Sequence, residues 1–530
     1  MIKSAATFIA SVIIGTVGLL AYGQEPSAGE AGVVQIKTGA DRPAPTAVFP
    51  IAGRAGKRVS GVADNAPVKR FKILLKRSAD GKTVARAVAL DSFLNVVRID
   101  GSDWRIVGLS GEDAPRIGKA DPMRGLDAAL LVERSLCSRE GAYAEREIAD
   151  FFTVLNNQDR ACLATFNQTP RFKLELSEAG AVKLASERIK FDKSEGLSAP
   201  DRAAVGALNY LKGRGNGNKP VIIIISYCPD NASMTFMPED VEKKAVELGA
   251  PVYVVAFDEA ASDPCLMDIT RKTGGEFFAL ESADSSELSE TLKEIYLFEK
   301  FADEIELPAA KAESAISLRC RCDSSIAQAI PFRAEERLVA APQVAALFDF
   351  ESAAISARYD ESLRSLAEVL IDNPTKVIEL TGYCGAELLG GDSRGFLAAE
   401  RAQSVKQKLV GMGVPAAQVR FSDYRFLSPN ATPLIASPWS AELERRVEVR
   451  WLDPSLLPYE LVESLYDSED EAAARVKFYE NEGLRAYYAP IIRGAKPTYG
   501  VKLWGYATQD EALEAAKNLK SRFKKDFTVK

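Results

Sequence analysis

Acid–base chemistry in this sequence would fall to carboxylates, lysines, tyrosines and cysteines, because none of its 530 residues is a histidine. The absence of histidine excludes Ser-His-Asp and Cys-His triads, histidine-ligated zinc or haem, and an imidazole pH switch. A hydrolase would need paired carboxylates, or a nucleophile with a base in one cleft. No such pair stands out among the 74 acidic residues. We therefore expect a protein that is not an enzyme and needs no cofactor, with a hydrolase as the alternative.

Seven cysteines are the other reactive side chains: Cys137, Cys162, Cys228, Cys265, Cys320, Cys322 and Cys384. An odd number leaves at least one thiol unpaired within the chain. Cys320 and Cys322 are too close in sequence to bridge each other easily. The alternative to disulfides is a set of buried thiols that behave as small hydrophobic residues.

Length and composition predict several globular units, roughly three to four at about 150 residues each. Hydrophobic residues make up 47% and charged residues 27% of the chain. These ordinary proportions exclude a mostly disordered chain, a coiled-coil rod and a polytopic membrane protein. With 67 basic against 74 acidic residues, the net charge is -7. We expect no nucleic-acid partner, because no positive surplus is present to neutralise phosphates.

The first 23 residues are typical of an export segment. Lys3 precedes the uncharged run Ala5–Tyr22, and the small residues Ala21 and Gly23 suit cleavage before Gln24. The alternative is an uncleaved membrane anchor, since the run approaches the ~20 residues that span a bilayer. Both interpretations place the rest of the chain outside the cytoplasm, and membrane contact then depends on this segment alone. Residues 24–67 are predicted to be a Gly/Ala/Pro-rich linker, and residues 68–117 a small β-rich unit.

Residues 118–302 alternate apolar strands with amphipathic helices, which predicts a doubly wound parallel sheet. The strands include Ala128–Val132, Ala161–Phe166 and Val221–Ile225. Strands that are apolar on every side lie in the middle of a sheet covered by helices on both faces. The order of these segments resembles a von Willebrand factor A (vWA) domain, which implies a platform for protein partners.

The metal site of that family is degenerate in this sequence. The family holds Mg²⁺ with an Asp-x-Ser-x-Ser turn, a Thr and a later Asp. The corresponding positions in this sequence are Glu133, Ser135, Cys137 and Tyr227, and Arg134 lies beside the first of them. Because few oxygen donors remain and an arginine repels a cation, we expect no metal.

The same resemblance brings two cysteines together. The family's two metal loops are neighbours at the carboxyl edge of the sheet, so Cys137 is expected near Cys228. The resemblance implies a disulfide between them in an oxidising compartment, and the alternative is two separate thiols.

Residues 303–341 are predicted to be a connector with little core of its own, and residues 342–453 an α/β unit. Leu347-Phe348-Asp349-Phe350 opens that unit, a helix contains Arg401-Ala402, and Arg445-Arg446-Val447-Glu448-Val449 closes it. The unit is similar to the OmpA-like peptidoglycan-binding domain.

That similarity implies a clamp for diaminopimelate, in which an Asp holds the ammonium and an Arg holds the carboxylate. Arg401 would be the cation, and the alternative for Arg401 is an exposed helix charge paired with Glu400 or Glu387. The Asp position is Gly385, so Glu387 or Asp392 would have to replace it. Near the end of the unit, Arg445 and Arg446 match positions of the family's pattern.

Residues 456–530 read as strand–helix–strand twice, a βαββαβ plait that resembles a SPOR domain. SPOR domains bind glycan strands without stem peptides on an exposed sheet face. The aromatic candidates for stacking on sugar rings are Tyr466, Tyr499, Trp504 and Tyr506. Some of them must instead belong to the core, because alternate strand positions point inward.

Taken together, the resemblances imply a non-enzymatic bacterial cell-envelope protein. Its C-terminal domains would bind peptidoglycan, and its vWA-like domain would bind unidentified envelope proteins. One alternative is a structural scaffold, because all three signature sites depart from their families. A hydrolase acting on the cell wall is the enzymatic alternative.

Overall fold

The computed structural model describes residues 35–37, 61–64, 70–77, 80, 82–91, 94–98, 104–107, 117–138, 143–281, 287–306, 316–320, 326–329, 343–384, 393–421, 440–453, 457–493 and 496–530. The predicted export segment and most of the predicted linker lie outside these ranges. No helix within them combines the length and the apolar composition that crossing a bilayer requires.

Short strands precede the parallel sheet in sequence, and they form both antiparallel and parallel pairs. They are β1 (Gln35–Lys37), β2 (Gly61–Asp64), β3 (Arg70–Arg77), β4 (Thr83–Leu90), β5 (Asn95–Arg98), β6 (Trp104–Val107) and β7 (Ile117–Gly118). β4 pairs antiparallel with both β3 and β5, and β2 runs parallel to β5. The segment predicted to be β-rich therefore contains strands.

The central sheet has the strand order β10-β9-β8-β11-β12-β13. Its strands are β8 (Leu126–Glu133), β9 (Arg160–Phe166), β10 (Pro170–Glu178), β11 (Lys219–Ser226), β12 (Val252–Ala256) and β13 (Phe277–Ala279). All neighbours are parallel except β10, which is an antiparallel edge strand. The predicted parallel sheet is confirmed, whereas β10 was not predicted. Because its register is shifted and its side chains are only half-buried, β10 lacks a clear alternation of apolar and polar residues from which it could be predicted.

Helices cover both faces of this sheet, as a doubly wound fold requires. They are α1 (Tyr143–Phe152), α2 (Ala179–Ser186), α3 (Pro200–Lys212), α4 (Pro238–Leu248), α5 (Pro264–Thr273) and α6 (Glu287–Phe301). Apolar residues of α1 and α6 pack on one face, and those of α3, α4 and α5 pack on the other. The alternating buried side chains of β8 and β11 divide between these two cores.

The segment after α6 returns to the first strands instead of forming a loose connector. It contains β14 (Asp303–Glu306), β15 (Ile316–Cys320) and β16 (Ile326–Ala329). β14 pairs with β4 and β7, β15 with β6, and β16 with β1. The segment predicted to be a connector therefore contains strands, and the predicted linker contributes β1 and β2. Partners so far apart in sequence leave no local pattern from which this pairing could be predicted.

Buried charges join these β-sheets to the parallel sheet. Arg86 of β4 is fully buried, and its Nη2 lies 2.6 Å from Oε2 of Glu299 on α6. The Nζ of Lys219 lies 2.8 Å from the same carboxylate oxygen. Burying a charge costs several kcal/mol unless a counter-charge accompanies it. These groups therefore fix how the two parts of the molecule pack.

The OmpA-like unit is a four-stranded sheet with helices, in the order β17-β20-β18-β19. Its elements are β17 (Gln343–Leu347), α7 (Asp360–Asp372), β18 (Val377–Gly382), α8 (Ser393–Gly411), β19 (Val419–Phe421), α9 (Ser440–Leu443) and β20 (Arg446–Leu452). Leu347, the first residue of the run that opens this unit, is the last residue of β17, and a turn begins at Phe350.

The last unit has the predicted plait. Its elements are β21 (Tyr459–Tyr466), α10 (Glu469–Asn481), β22 (Ala486–Arg493), β23 (Lys496–Tyr506), α11 (Gln509–Phe523) and β24 (Thr528–Val529). The sheet order is β22-β23-β21-β24. Ser468 and Thr508 cap the two helices, each accepting a hydrogen bond from the backbone N–H three residues later. The α/β multidomain fold predicted from the sequence is thus confirmed.

Replacing Glu299 with Gln should destabilise the protein by about 3–5 kcal/mol, because Arg86 would stay buried without its counter-charge. Denaturant unfolding at neutral pH measures this loss. Glu290→Gln, at an exposed position of the same helix, is the control. Equal losses in the two variants would contradict a structural role for this ion pair.

Glu299→Gln should also make the free energy of unfolding depend less steeply on pH under acidic conditions. Burial alone would raise the pKa of Glu299, but Arg86 and Lys219 outweigh it and lower the pKa to about 2. A carboxyl with a lowered pKa stabilises the fold above its ordinary value of 4.5, and that contribution is lost as the pH falls towards 2. As the pH falls from 4.5 towards 2, the free energy of unfolding should therefore decrease more steeply for the wild type than for Glu299→Gln.

Candidate functional sites

Two loops meet at the carboxyl edge of the parallel sheet, where β8 and β11 end side by side. Glu133 is the last residue of β8, and Ser135 and Cys137 follow it. Ser226 ends β11, and Tyr227 and Cys228 come next. Parallel strands place their carboxyl ends at one edge, so these side chains converge.

The Glu133 carboxylate joins the two loops through hydrogen bonds. It accepts bonds from the Ser135 hydroxyl, from the Ser226 hydroxyl at 2.7 Å, and from the backbone N–H groups of Tyr227 at 2.7 Å and Cys228 at 3.2 Å. Burial raises the pKa of Glu133, and these hydrogen bonds oppose the rise. The carboxylate therefore performs the bridging task that a metal ion performs in the vWA family.

A disulfide links the same two loops. Cys137 and Cys228 are bonded to each other, with their Cα atoms 5.9 Å apart and a sequence separation of 91. The pairing implied by the resemblance is therefore present in the structure. Cys162 and Cys265 are free, buried thiols, and Cys384 is also buried, as the alternative of buried thiols expected for several cysteines. Cys322 lies outside the described residues.

The donors at this edge do not suit a Mg²⁺ ion. The Glu133 carboxylate and the two sulfurs lie within 4.8 Å of one another. The sulfurs are bonded together and offer no thiolate, and the carboxylate already accepts its hydrogen bonds from both loops. Tyr227, at the family's Asp position, stacks its ring on Phe257 with 5.0 Å between centroids and supplies no carboxylate.

The OmpA-like unit covers this edge, which the sequence did not indicate. Gln343 accepts a hydrogen bond from the backbone N–H of Met234 at 2.8 Å and donates one to the Asp230 carbonyl at 3.1 Å. The Val344 N–H donates to the Asn231 carbonyl at 2.7 Å. Cys228, Ala232 and Met234 share one hydrophobic cluster with β17, α7 and β20. The edge at which a vWA domain offers its metal site is therefore an intramolecular interface here.

Three buried aspartates near this interface were also missed. Asp230 accepts hydrogen bonds from the backbone N–H groups of Asp201 at 3.0 Å and Ser233 at 2.9 Å. Burial, together with the nearby charges of Asp230 and Asp263, raises the pKa of Asp201 well above its ordinary value. These carboxyls stabilise loop geometry, and their separation in sequence left no motif to find.

Arg401, the predicted clamp cation, is fully buried in the OmpA-like unit. Its guanidinium donates hydrogen bonds to the backbone carbonyls of Ser352 at 2.8 Å, Tyr383 at 3.0 Å and Asp349 at 3.1 Å. The alternative of an exposed helix charge is therefore wrong. These bonds use one N–H group of each of the three guanidinium nitrogens. Gly385, Glu387 and Asp392 lie outside the described residues.

The two arginines at the end of the unit also bind within the protein. Arg445 donates to the Phe348 carbonyl at 2.9 Å. Arg446 is buried against the ring of Tyr383, 4.1 Å from its centroid, and donates to Glu448 at 2.8 Å. Both tie β20 to the loops that follow β17 and β18.

The aromatic candidates of the last unit do not form one open face. Tyr466, Tyr499 and Tyr506 pack against the core beneath α10 and α11. A register shift between Val462 and Ser464 places the Tyr466–Tyr499 pair on that helix-covered side. Trp504 lies on the opposite face but is only 3% exposed, because Arg420 and Arg485 cover its ring. Three of the four stacking candidates thus pack against the core, as was expected of some of them, and the ring of the fourth is covered.

Comparison with protein families identifies two of the units. Residues 347–433 match the OmpA family, and residues 465–530 match the SPOR domain. Both predicted units are thereby confirmed, and the matches point to peptidoglycan and the cell envelope. A search of curated proteins gave no match.

Solved structures with similar folds include a vWA domain. The SpRpn10 VWA domain is 13% identical over 32% of this chain and 93% of that chain, with a TM-score of 0.26. BatB from Bacteroides thetaiotaomicron is 15% identical over 33% of this chain and 98% of its own, with a TM-score of 0.26. The peptidoglycan-associated lipoprotein from Burkholderia pseudomallei is 22% identical over 21% and 91%, with a TM-score of 0.19.

Replacing both Cys137 and Cys228 with Ser should lower the free energy of unfolding by about 2–4 kcal/mol, because the bridge closes a long loop. Denaturant unfolding measures the change. Under a reducing agent the wild type should approach the double variant, whose own stability should not move. A wild type that is insensitive to reduction would contradict this role of the bridge.

Arg401→Ala should destabilise the OmpA-like unit by about 3–5 kcal/mol, because three carbonyls would lose a charged donor inside the protein. Arg364→Ala, at an exposed position of α7, is the matched control and should change stability by less than about 0.5 kcal/mol. Thermal unfolding of both variants tests this. Unchanged unfolding of Arg401→Ala would show that its guanidinium is not structural.

Proposed function

We propose that this chain is a non-enzymatic protein of the bacterial cell envelope that binds peptidoglycan through its two C-terminal units. The observation that carries the proposal is the succession of an OmpA match at residues 347–433 and a SPOR match at residues 465–530. Two wall-binding units on one chain would raise the apparent affinity even if each binds weakly. The export segment predicted at residues 1–23 agrees with this location.

The proposal that the protein binds without cleaving rests on its ionisable groups. No histidine is available to act as base. The buried carboxyls Glu133 and Asp230 are occupied by hydrogen bonds from neighbouring loops and lie beneath the OmpA-like unit. A hydrolase needs a carboxylate that reaches the scissile bond together with a second one across a cleft.

We assign protein partners to the vWA-like domain, on a surface other than its carboxyl edge. That edge carries hydrogen bonds to Gln343 and Val344 of the same chain, so a partner could reach it only by displacing the OmpA-like unit. Among the described residues, α2, α4 and the antiparallel edge strand β10 keep exposed surface, whereas α6 is largely buried under the first strands.

A structural scaffold is the second candidate function, and the burial of Arg401 favours it. Its guanidinium is engaged by backbone carbonyls at the position where the family binds a ligand carboxylate. In a scaffold the OmpA-like unit would serve to connect its two neighbours, and wall affinity would be absent.

Pull-down on purified sacculi distinguishes the two candidates. Residues 24–530 are incubated at low ionic strength with intact sacculi and with amidase-treated sacculi, which lack stem peptides. We expect the protein in the pellet and no release of soluble wall fragments. Arg364→Ala should bind as the wild type does. Absence from both pellets would favour the scaffold, and soluble fragments would favour a hydrolase.

A further inference from the structure

One face of the SPOR sheet is packed against the OmpA-like unit. The register pairs Glu460 with Trp504 and Tyr487 with Lys502, which places these four side chains on the face opposite α10 and α11. Tyr487 and Trp504 are both buried. The turn at Ala416–Gln418 and strand β19 lie against β22. We call this contact the junction.

Arg420 of β19 occupies the centre of the junction. Its guanidinium carbon lies 4.1 Å from the ring centroid of Tyr487 and 4.9 Å from that of Trp504. Its Nη2 lies 3.7 Å from Glu460. A guanidinium over two aromatic rings gains cation–π attraction, which is larger where water is excluded.

Two further ion pairs cross the junction. Lys406 of α8 lies 4.0 Å from Glu480, and Arg485 lies 4.0 Å from Glu379 of β18. All three pairs that cross it are 3.7–4.0 Å long, beyond the range of a strong hydrogen bond. The contact therefore combines cation–π attraction with Coulomb attraction, and dissolved salt weakens the Coulomb part where a side chain stays partly exposed, as that of Arg485 does.

Closing the junction also has an unfavourable side. The indole Nε1 of Trp504 is buried and finds no hydrogen-bond acceptor among the described residues. A buried donor without a partner costs free energy that water would return if the face opened. The glutamate at the centre, Glu460, keeps its bonds from Tyr487 at 2.6 Å and Lys502 at 2.9 Å within the SPOR sheet itself. The face would thus remain ordered when uncovered.

We propose that the junction is a reversible, salt-sensitive closure, in which the OmpA-like unit covers this face of the SPOR sheet and limits its contact with the wall. The second half of the proposal rests on the proposed function. Opening exposes two aromatic rings bordered by a carboxylate and an ammonium, a surface suited to stacking and hydrogen bonding with a saccharide. The partner that competes with Arg420 is therefore a glycan strand.

Oxidative footprinting of the full chain tests the closure. Arg420→Glu places a negative charge beside Glu460, and we expect a severalfold rise in the oxidation of Trp504 and Tyr487. Arg364→Glu is the matched control, because it reverses the charge at an exposed arginine of the same unit. A salt titration of the wild type gives a second measurement that needs no substitution, and it should expose the same two residues. Oxidation that stays unchanged in both experiments would overturn the closure.

Sacculus retention at low ionic strength tests the consequence. Arg420→Glu should be retained severalfold better than the wild type on amidase-treated sacculi. Suppose that the wild type binds, and that Arg420→Glu exposes Trp504 without being retained better than the wild type. That result would overturn the role of the junction in wall binding. Absence of every variant from every pellet, with Trp504 exposed, would instead contradict the proposed function and leave the closure standing.

Discussion

The hydrogen bonds from Gln343 and Val344 to the loop at residues 230–234 hold the OmpA-like unit on the carboxyl edge of the parallel sheet. A single hydrophobic cluster continues from Cys228 and Met234 into β17 and α7, so this boundary between domains is packed like a domain interior. Such a contact is too apolar to separate easily. It follows that the vWA-like and OmpA-like units act as one body, whose surface differs from that of either unit alone.

Two links make the loops under this contact rigid. One is polar and the other is covalent. The Glu133 carboxylate bonds both loops, and the bridge between Cys137 and Cys228 closes them. In the vWA family a metal ion supplies this rigidity and leaves a coordination position for a partner. A carboxylate and a disulfide supply the rigidity alone, and the space above them is taken by the OmpA-like unit.

The other two boundaries also contain ion pairs, and these pairs differ in strength. Arg86 and Glu299 are completely buried 2.6 Å apart, so separating them would leave unpaired charges in the interior. The pairs at the SPOR boundary are longer and retain some exposure, so water and salt can replace them at lower cost. The molecule therefore combines a firmly joined N-terminal and central part with a C-terminal unit held by weaker forces.

The order of units and the course of most strands and helices could be read from sequence, because hydrophobic periodicity and turn residues act locally. The β-branched run Val221–Ile225 favours a central strand, and the two strand–helix–strand half-repeats after residue 456 favour a plait. Pairings such as β15 with β6 could not be read, because the segments lie more than 200 residues apart.

Residue identity alone also determined that Arg401, Trp504 and Cys137 are chemically capable of binding a carboxylate, a sugar ring and a second cysteine. Whether each one does so is decided by its neighbours in the folded chain. Arg401 lies among three carbonyls, Trp504 lies under Arg420, and Cys137 lies beside Cys228. Chemical type is a property of one residue, whereas access and partnership depend on contacts between distant segments, and only the tertiary structure contains those.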